Sequence, residues 1–174
     1  MTVRDDVSAV VYDLDGTLVD LIVNWKQVAV DVAAVLDDHG VDASNVDLWA
    51  MLDLADEANV RDVVETVIGD HECTGARRST RLPHADELLR REVPVGVCSL
   101  NCEASCHVSL ETHELADAVD AVIGRDSVPT RKPDPEPLLA TLHALDVDGP
   151  ALFIGDSPRD ELTAERADVA FEYV

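Results

Sequence analysis

Basic residues are scarce in this chain of 174 residues: 13 Lys and Arg face 36 Asp and Glu, leaving a formal net charge of −23. Lysine occurs only at Lys26 and Lys132. With no basic stripe to follow a phosphate backbone, the sequence argues against a nucleic-acid partner. Long apolar runs are also missing. None reaches the roughly 18 residues of a membrane-spanning segment, and the opening Met1-Thr-Val-Arg-Asp-Asp6 lacks a secretion-signal pattern. The expectation is a cytoplasmic protein with no membrane partner. The four cysteines, Cys73, Cys98, Cys102 and Cys106, read as reduced thiols. The last three are spaced four apart and followed by His107, which raises a metal site. Cys98 falls in a predicted strand and the other two in a predicted helix, so they do not share one face. They read as small buried apolar residues instead.

What is present suits a globular protein. Hydrophobic residues make up 47% of the chain, and its length allows one domain, or a core with a modest insertion, that buries roughly 70% of its unfolded surface. Charge of one sign repels itself in dilute buffer, yet at about 1 M salt the Debye length shrinks to about 3 Å. The composition resembles that of proteins from salt-accumulating halophiles, and the fold is expected to loosen at low ionic strength.

The informative stretch is Ser8-Ala-Val-Val-Tyr-Asp13-Leu-Asp15-Gly16-Thr17-Leu-Val-Asp20. A short β-branched run bounded by polar residues predicts a strand buried on both faces. It breaks at its carboxyl end into two aspartates, where open parallel α/β sheets place their ligands.

Helical periodicity follows. Asn24 is placed to cap a helix carrying Trp25, Val28, Val32 and Leu36, with Gly40 as its stop. A second helix is expected near 45–57, and a third capped by Asn59 with a Val60–Ile68 stripe ending before Gly69. Residues 70–82 read as a polar connection, and His39 and His71 as surface loop residues. Alternation then resumes: a helix opened by Pro83, a strand at 93–98, a helix at 103–115 and a strand at 118–123. A helix at 135–145, a strand at 151–154, a helix at 158–166 and a strand at 169–174 complete it. The fold class expected is α/β, a Rossmann-like parallel sheet of about five strands with helices on both faces. Residues 1–20 and 81–174 form the core, and 21–80 a small all-helical cap inserted after the first strand.

Asp13-Leu-Asp15-Gly16-Thr17 resembles the first motif of the haloacid dehalogenase superfamily, whose members are mostly phosphatases. Ser99 at the end of a strand resembles the second motif, Lys132 in Arg131-Lys-Pro-Asp-Pro-Glu-Pro137 the third, and Gly155-Asp156-Ser-Pro-Arg-Asp160 the fourth. The resemblance spans nearly the whole chain outside 21–80 and is similar in architecture to phosphoglycolate phosphatases. It implies that Asp13 is the nucleophile and a metal ligand. Asp15 is then general acid/base and offers its carbonyl to the metal, Asp156 is a ligand, and Asp160 supports the metal or orients Lys132. The dehalogenases lack the second acid, so Asp15 points away from dehalogenation. Ser99 is followed by Leu100 rather than the more frequent Asn, a departure from the pattern.

The chemistry agrees with these assignments. A carboxylate splits one hard displacement at phosphorus into formation and hydrolysis of an aspartyl phosphate. Mg²⁺ is a hard cation held by one or two carboxylates plus substrate phosphate. Lys132 adds a point charge, and Ser99 hydrogen-bond donors for phosphate. The cation, Lys132 and Arg131 make a positive focus in a negative protein.

The expected partner is a small phosphorylated metabolite, bound by a monomer or homodimer. Candidates for reading it are Asn24, Trp25, Lys26, Arg77, Arg78 and Arg81; Trp25 and Trp49 also suit cap packing, and the arginines a solvated linker. A β-phosphoglucomutase-like phosphotransferase would use the same core residues, and a non-catalytic binding protein would keep the fold without turnover.

Overall fold

The computed structural model describes residues 6–174; residues 1–5, part of the stretch read for a secretion signal, lie outside the described residues. In chain order the elements begin β1 (Ala9–Tyr12), β2 (Val19–Asp20), α1 (Trp25–Asp38), α2 (Leu48–Glu57), α3 (Arg61–Arg77), β3 (Thr80–Arg81) and α4 (His84–Leu88). They continue β4 (Val95–Cys98), α5 (Glu103–Thr112), β5 (Ala121–Ile123), α6 (Glu136–Ala144), β6 (Ala151–Gly155), α7 (Pro158–Ala167) and β7 (Ala170–Tyr173).

Five strands form one parallel sheet in the order β5-β4-β1-β6-β7. The central β1 pairs Val10 with Val95 on one side and Val11 with Phe153 on the other. Its alternate residues face different cores. Val10 and Tyr12 pack with Leu88 and Leu110 of α4 and α5, whereas Ala9 and Val11 pack with Leu138 and Ala164 of α6 and α7. This explains the unbroken apolar run: a strand covered on both faces has no solvent side to mark with polar residues. Each fully buried aliphatic side chain contributes about 1.5–3 kcal/mol.

Helices α1–α3 leave and re-enter through β2 and β3, which pair antiparallel. They bury a third core that includes Val28, Val32, Leu36, Leu52, Val64 and Ile68. Among the described residues, no helix is long and apolar enough to cross a membrane.

Several expected boundaries move. Asn59 has φ +58° and lies just past α2; α3 begins after Val60 with no side-chain cap. That helix runs on through Gly69 to Arg77, so 70–77 is not a polar connection. Gly69 passes close to α5, where a Cβ would lie 3.4 Å from Cys102 Sγ, and the buried stripe continues from Ile68 to Glu72 and Ala76. A glycine in the interior of a helix mimics a helix stop. His71 therefore sits on α3, paired with Asp31 at 2.8 Å, rather than on a loop. β5 starts at Ala121, after a 3₁₀ turn at Ala116–Ala118, instead of at 118.

Candidate active site

The parallel order puts the carboxyl ends of β1, β4 and β6 side by side, so the residues that follow them meet at one end of the sheet. The Asp13 N–H donates to the Ile154 carbonyl at 2.8 Å, extending the β1–β6 ladder up to its carboxylate. Gly16 then turns the chain with φ +87°, and a Cβ there would overlap the Asp156 carboxylate. Glycine is required twice over: for the left-handed backbone and for the space that Asp156 occupies.

Lys132, with 2% of its side chain exposed, is the centre of the cluster. Its Nζ donates to Asp13 Oδ1 at 2.8 Å, Asp160 Oδ1 at 2.5 Å and the Cys98 carbonyl at 3.1 Å. Asp160 is held from its other side by Ser157 Oγ at 2.6 Å, within a reciprocal capping box that starts α7. One aspartate thus both holds Lys132 and caps α7. Asp15 Oδ1 accepts from the Leu21 N–H at 2.9 Å.

Burial pushes the Asp13 carboxyl up to about 7, with Lys132 opposing the shift and Asp160 reinforcing it. Burial also pulls the Lys132 ammonium down, but Asp13, Cys98 and Asp160 outweigh it and leave the lysine firmly charged. Asp15 is raised by burial against the pull of the Leu21 N–H, with Asp20 and Asp156 adding to the rise. Asp156 is raised by partial burial and by Asp160.

Carboxylate oxygens of Asp13, Asp156 and Asp160 all lie within 4.8 Å of one another. Three carboxylates against one ammonium leave an uncompensated negative charge, and an all-oxygen donor set suits a hard divalent cation. The residues fit such an ion.

These groups open into a cavity of about 600 Å³. Asp13, Asp15, Lys132, Asp156 and Asp160 line it from the sheet, and Trp25 and Lys26 from the first turn of α1. Both lysines of the chain therefore face the same space. Ser99 is buried and is not part of the lining; its Oγ donates to Asn101 Oδ1 at 3.0 Å. Asn24 caps α1 by accepting the Gln27 N–H at 3.2 Å and does not line the cavity.

The arginines are redistributed. Arg77 and Arg78 are exposed and Arg81 is spent on the His113 carbonyl and Asp86, both at 2.6 Å, so none reaches the cavity. The longer α3 carries the first two away from the position that a loop would have allowed. Arg131 binds Asp53 at 2.9 Å and lies 5.5 Å from the centre of the Trp49 ring, so of the expected Arg131 and Lys132 only Lys132 lines the cavity.

Other lining residues escape a reading of the sequence. Glu72 and Arg125 form a fully buried ion pair beside Asn101. Trp49 lines the cavity rather than serving only cap packing, and Arg159 lies 5.4 Å from its ring centre. Signals existed for two of them. Arg125 directly follows Gly124 beyond a strand's carboxyl end, and Glu72 continues the Val64–Ile68 stripe by one turn.

The free cysteines are not ligands in this cluster. Burial raises the thiols of Cys98 to about 11 and Cys102 to about 12, and lifts Cys106 well above its usual range, keeping all three protonated.

The sheet order, the inserted helices and the four ordered motifs define a class of hydrolase, and the sequence comparison assigns it. Residues 10–174 match the haloacid dehalogenase-like hydrolase family model, and the chain belongs to that family. A phosphoglycolate phosphatase of Rhodospirillum rubrum is 34% identical over 185 residues, covering 92% of this chain and 76% of that protein. A phosphoglycolate phosphatase of Cereibacter sphaeroides is 42% identical over 77 residues, covering 44% of this chain and 35% of its own length. Among solved structures, a Lactobacillus plantarum protein provisionally named a phosphoglycolate phosphatase superposes with a TM-score of 0.67 at 25% identity. That match covers 96% of this chain and 86% of the other.

Proposed function

We propose that this hydrolase is a Mg²⁺-dependent phosphatase that cleaves a small phosphomonoester through an aspartyl phosphate on Asp13. The observation that carries the reading is the convergence of Lys132 with Asp13, Asp156 and Asp160 at the floor of one cavity. Bound by Asp13, Asp156, Asp160 and the Asp15 carbonyl, Mg²⁺ would draw charge from the phosphoryl oxygens and lower the repulsion between two anions.

Asp13 attacks phosphorus, forming its Oδ–P bond as the bond to the ester oxygen breaks. Asp15, whose pKa is raised by burial, gives its proton to that leaving oxygen. The resulting Asp15 carboxylate then takes a proton from water as the water oxygen attacks the aspartyl phosphate, releasing phosphate and restoring Asp13. Lys132 holds Asp13 in place and neutralises part of the developing charge. Residues 21–80 act as a cap that excludes water and reads the leaving group, with Trp25, Lys26, Trp49 and Arg159 in contact with it. The −23 charge supports work at high ionic strength, where self-repulsion is screened.

The test is phosphate release from a panel of phosphomonoesters in molar KCl, with and without Mg²⁺. Mg²⁺-dependent release that Asp13→Asn abolishes is expected. Isomerisation of a sugar 1-phosphate without release would make the protein a phosphotransferase, and no turnover at all a binding protein.

A further inference from the structure

Arg125 has no part in the scheme above, yet it is among the most heavily engaged side chains of the molecule. Only 2% of it is exposed. Its guanidinium donates to Glu72 Oε1 and to the Leu100 carbonyl, each at 2.8 Å, and to Glu65 Oε2 at 2.6 Å. Its own N–H donates to the Asn101 carbonyl at 2.8 Å. Glu72, with no exposed surface, accepts from Asn101 Nδ2 at 3.1 Å and from the Cys102 N–H at 3.0 Å. Asn101 in turn holds Ser99, its N–H donating to Ser99 Oγ at 3.1 Å. Three segments distant in sequence, α3, the loop after β4 and the loop after β5, are thereby fixed to one another. Leu100 and Asn101, at the centre of this lattice, form cavity wall beside Asp13 and Lys132.

We propose that Arg125 is a positioning residue for catalysis. Acting through Glu72, it holds the loop from Ser99 to Cys102 in the conformation that presents Asn101 to the phosphoryl group. The proposal rests on the phosphatase reading.

A buried ion pair is a poor stabiliser compared with apolar residues of equal volume, because desolvation cancels most of the attraction. What it supplies here is direction. The Glu72 carboxylate accepts from two donors of the loop, Asn101 Nδ2 and the Cys102 N–H, and so fixes the direction of both. Arg125 reaches Glu65, Glu72 and the Leu100 carbonyl from three nitrogens held in one plane, a spread that the single nitrogen of a lysine lacks. The same lattice compensates for the Leu that follows Ser99, since it brings Asn101 to the cavity from one position further on.

Two variants separate positioning from stability. The pair Arg125→Met with Glu72→Gln removes both buried charges and leaves neither alone, while Arg125→Lys keeps the charge and loses the fork. Glu65→Gln removes only an outer partner and is the structural control. For each, thermal melting is measured with the kcat/KM for p-nitrophenyl phosphate and the affinity for inorganic phosphate, all with Mg²⁺ in molar KCl.

The expectation is that both Arg125 variants lose about tenfold to a hundredfold in kcat/KM and bind phosphate correspondingly more weakly, since small misplacements at a site have effects of this size. Their pH profiles and Mg²⁺ dependence stay unchanged, and Arg125→Lys recovers the melting temperature but not the rate. Glu65→Gln lowers the melting temperature with kcat/KM within twofold of the parent.

Folded Arg125 variants within twofold of the parent in rate and phosphate affinity would overturn the proposal. So would an equal loss of rate in Glu65→Gln, or failure of both Arg125 variants to fold. A parent that binds phosphate but hydrolyses no ester contradicts the phosphatase reading alone, because the affinity measurement still reports on Arg125. A parent that binds no phosphate contradicts both.

Discussion

At the scale of single residues, the site separates two carboxyl groups that lie one residue apart in sequence. Asp13 is tied to Lys132 and faces Asp156, whereas Asp15 receives the Leu21 N–H and lies nearer the inserted helices through β2. Two acids in different surroundings can carry opposite protonation states at one pH. On the proposed mechanism Asp13 must be ionised to attack, so activity is expected to rise with pH as that carboxyl, pushed up to about 7 by burial, loses its proton. On the same mechanism Asp15, raised by burial, must be protonated to donate, so activity is expected to fall again as that carboxyl ionises. The stability sign follows the same proton. A carboxyl raised in the folded state binds its proton more tightly there, so Asp13 contributes stability below pH 4 that is lost as pH rises toward 7. Asp15→Asn is expected to lower kcat by about 10²–10⁴ for an alkyl phosphate, and far less for p-nitrophenyl phosphate, whose leaving group departs without a proton. The paired rates check this; equal losses for both esters would remove Asp15 from the acid role.

At the scale of elements, the core was legible in the sequence and the insertion only in part. The β1 run, the Gly155 to Asp160 stretch and the motif order all depend on local chemistry: a strand buried on both faces and loops at strand ends. Whether Arg77 and Arg78 reach the cavity depends instead on how far α3 extends, and that is decided by packing against α5. A glycine inside a helix cannot be told from a glycine that ends it when the packing around it is unknown. Ser99 shows the same limit, since its turn toward Asn101 depends on Glu72, which lies 27 residues upstream on another element. Gly69 and Gly75 permit a direct comparison within α3. At Gly69 a Cβ meets only Cys102 Sγ at 3.4 Å, and Gly69→Ala is expected to be neutral or to stabilise by up to about 1 kcal/mol. At Gly75 a Cβ would lie 2.6 Å from Val23 Cγ2 and 2.7 Å from the Ile22 carbonyl, so Gly75→Ala is expected to cost about 1–3 kcal/mol. Denaturant midpoints of the two variants measure the contrast, and equal values would contradict the close approach of α3 to the start of the insertion.

At the scale of the whole molecule, charge is arranged to serve one cavity. A surface dominated by 36 acidic residues repels anions at long range, yet both lysines, Arg125 and Arg159 line the space above Asp13. Lys132 and Arg125 are already matched by buried carboxylates, so they orient the site more than they attract a ligand. In the proposed function, attraction would fall to a divalent cation held by the carboxylates and to Lys26 and Arg159, which line the cavity and are exposed, while molar salt screens the opposing field beyond a few ångströms. The parallel sheet makes this arrangement possible: strand ends converge on one point, and residues of the insertion, joined to the core by a two-stranded stem, line the same cavity. All of this depends on Asp13 forming a bond to phosphorus. The most direct measurement is rapid quenching of the protein during turnover of p-nitrophenyl phosphate with Mg²⁺, followed by borohydride reduction and peptide mass analysis. Homoserine at position 13, absent without Mg²⁺ or without substrate, is the predicted result. Sustained turnover with residue 13 unmodified, or turnover that survives Asp13→Asn, would contradict it.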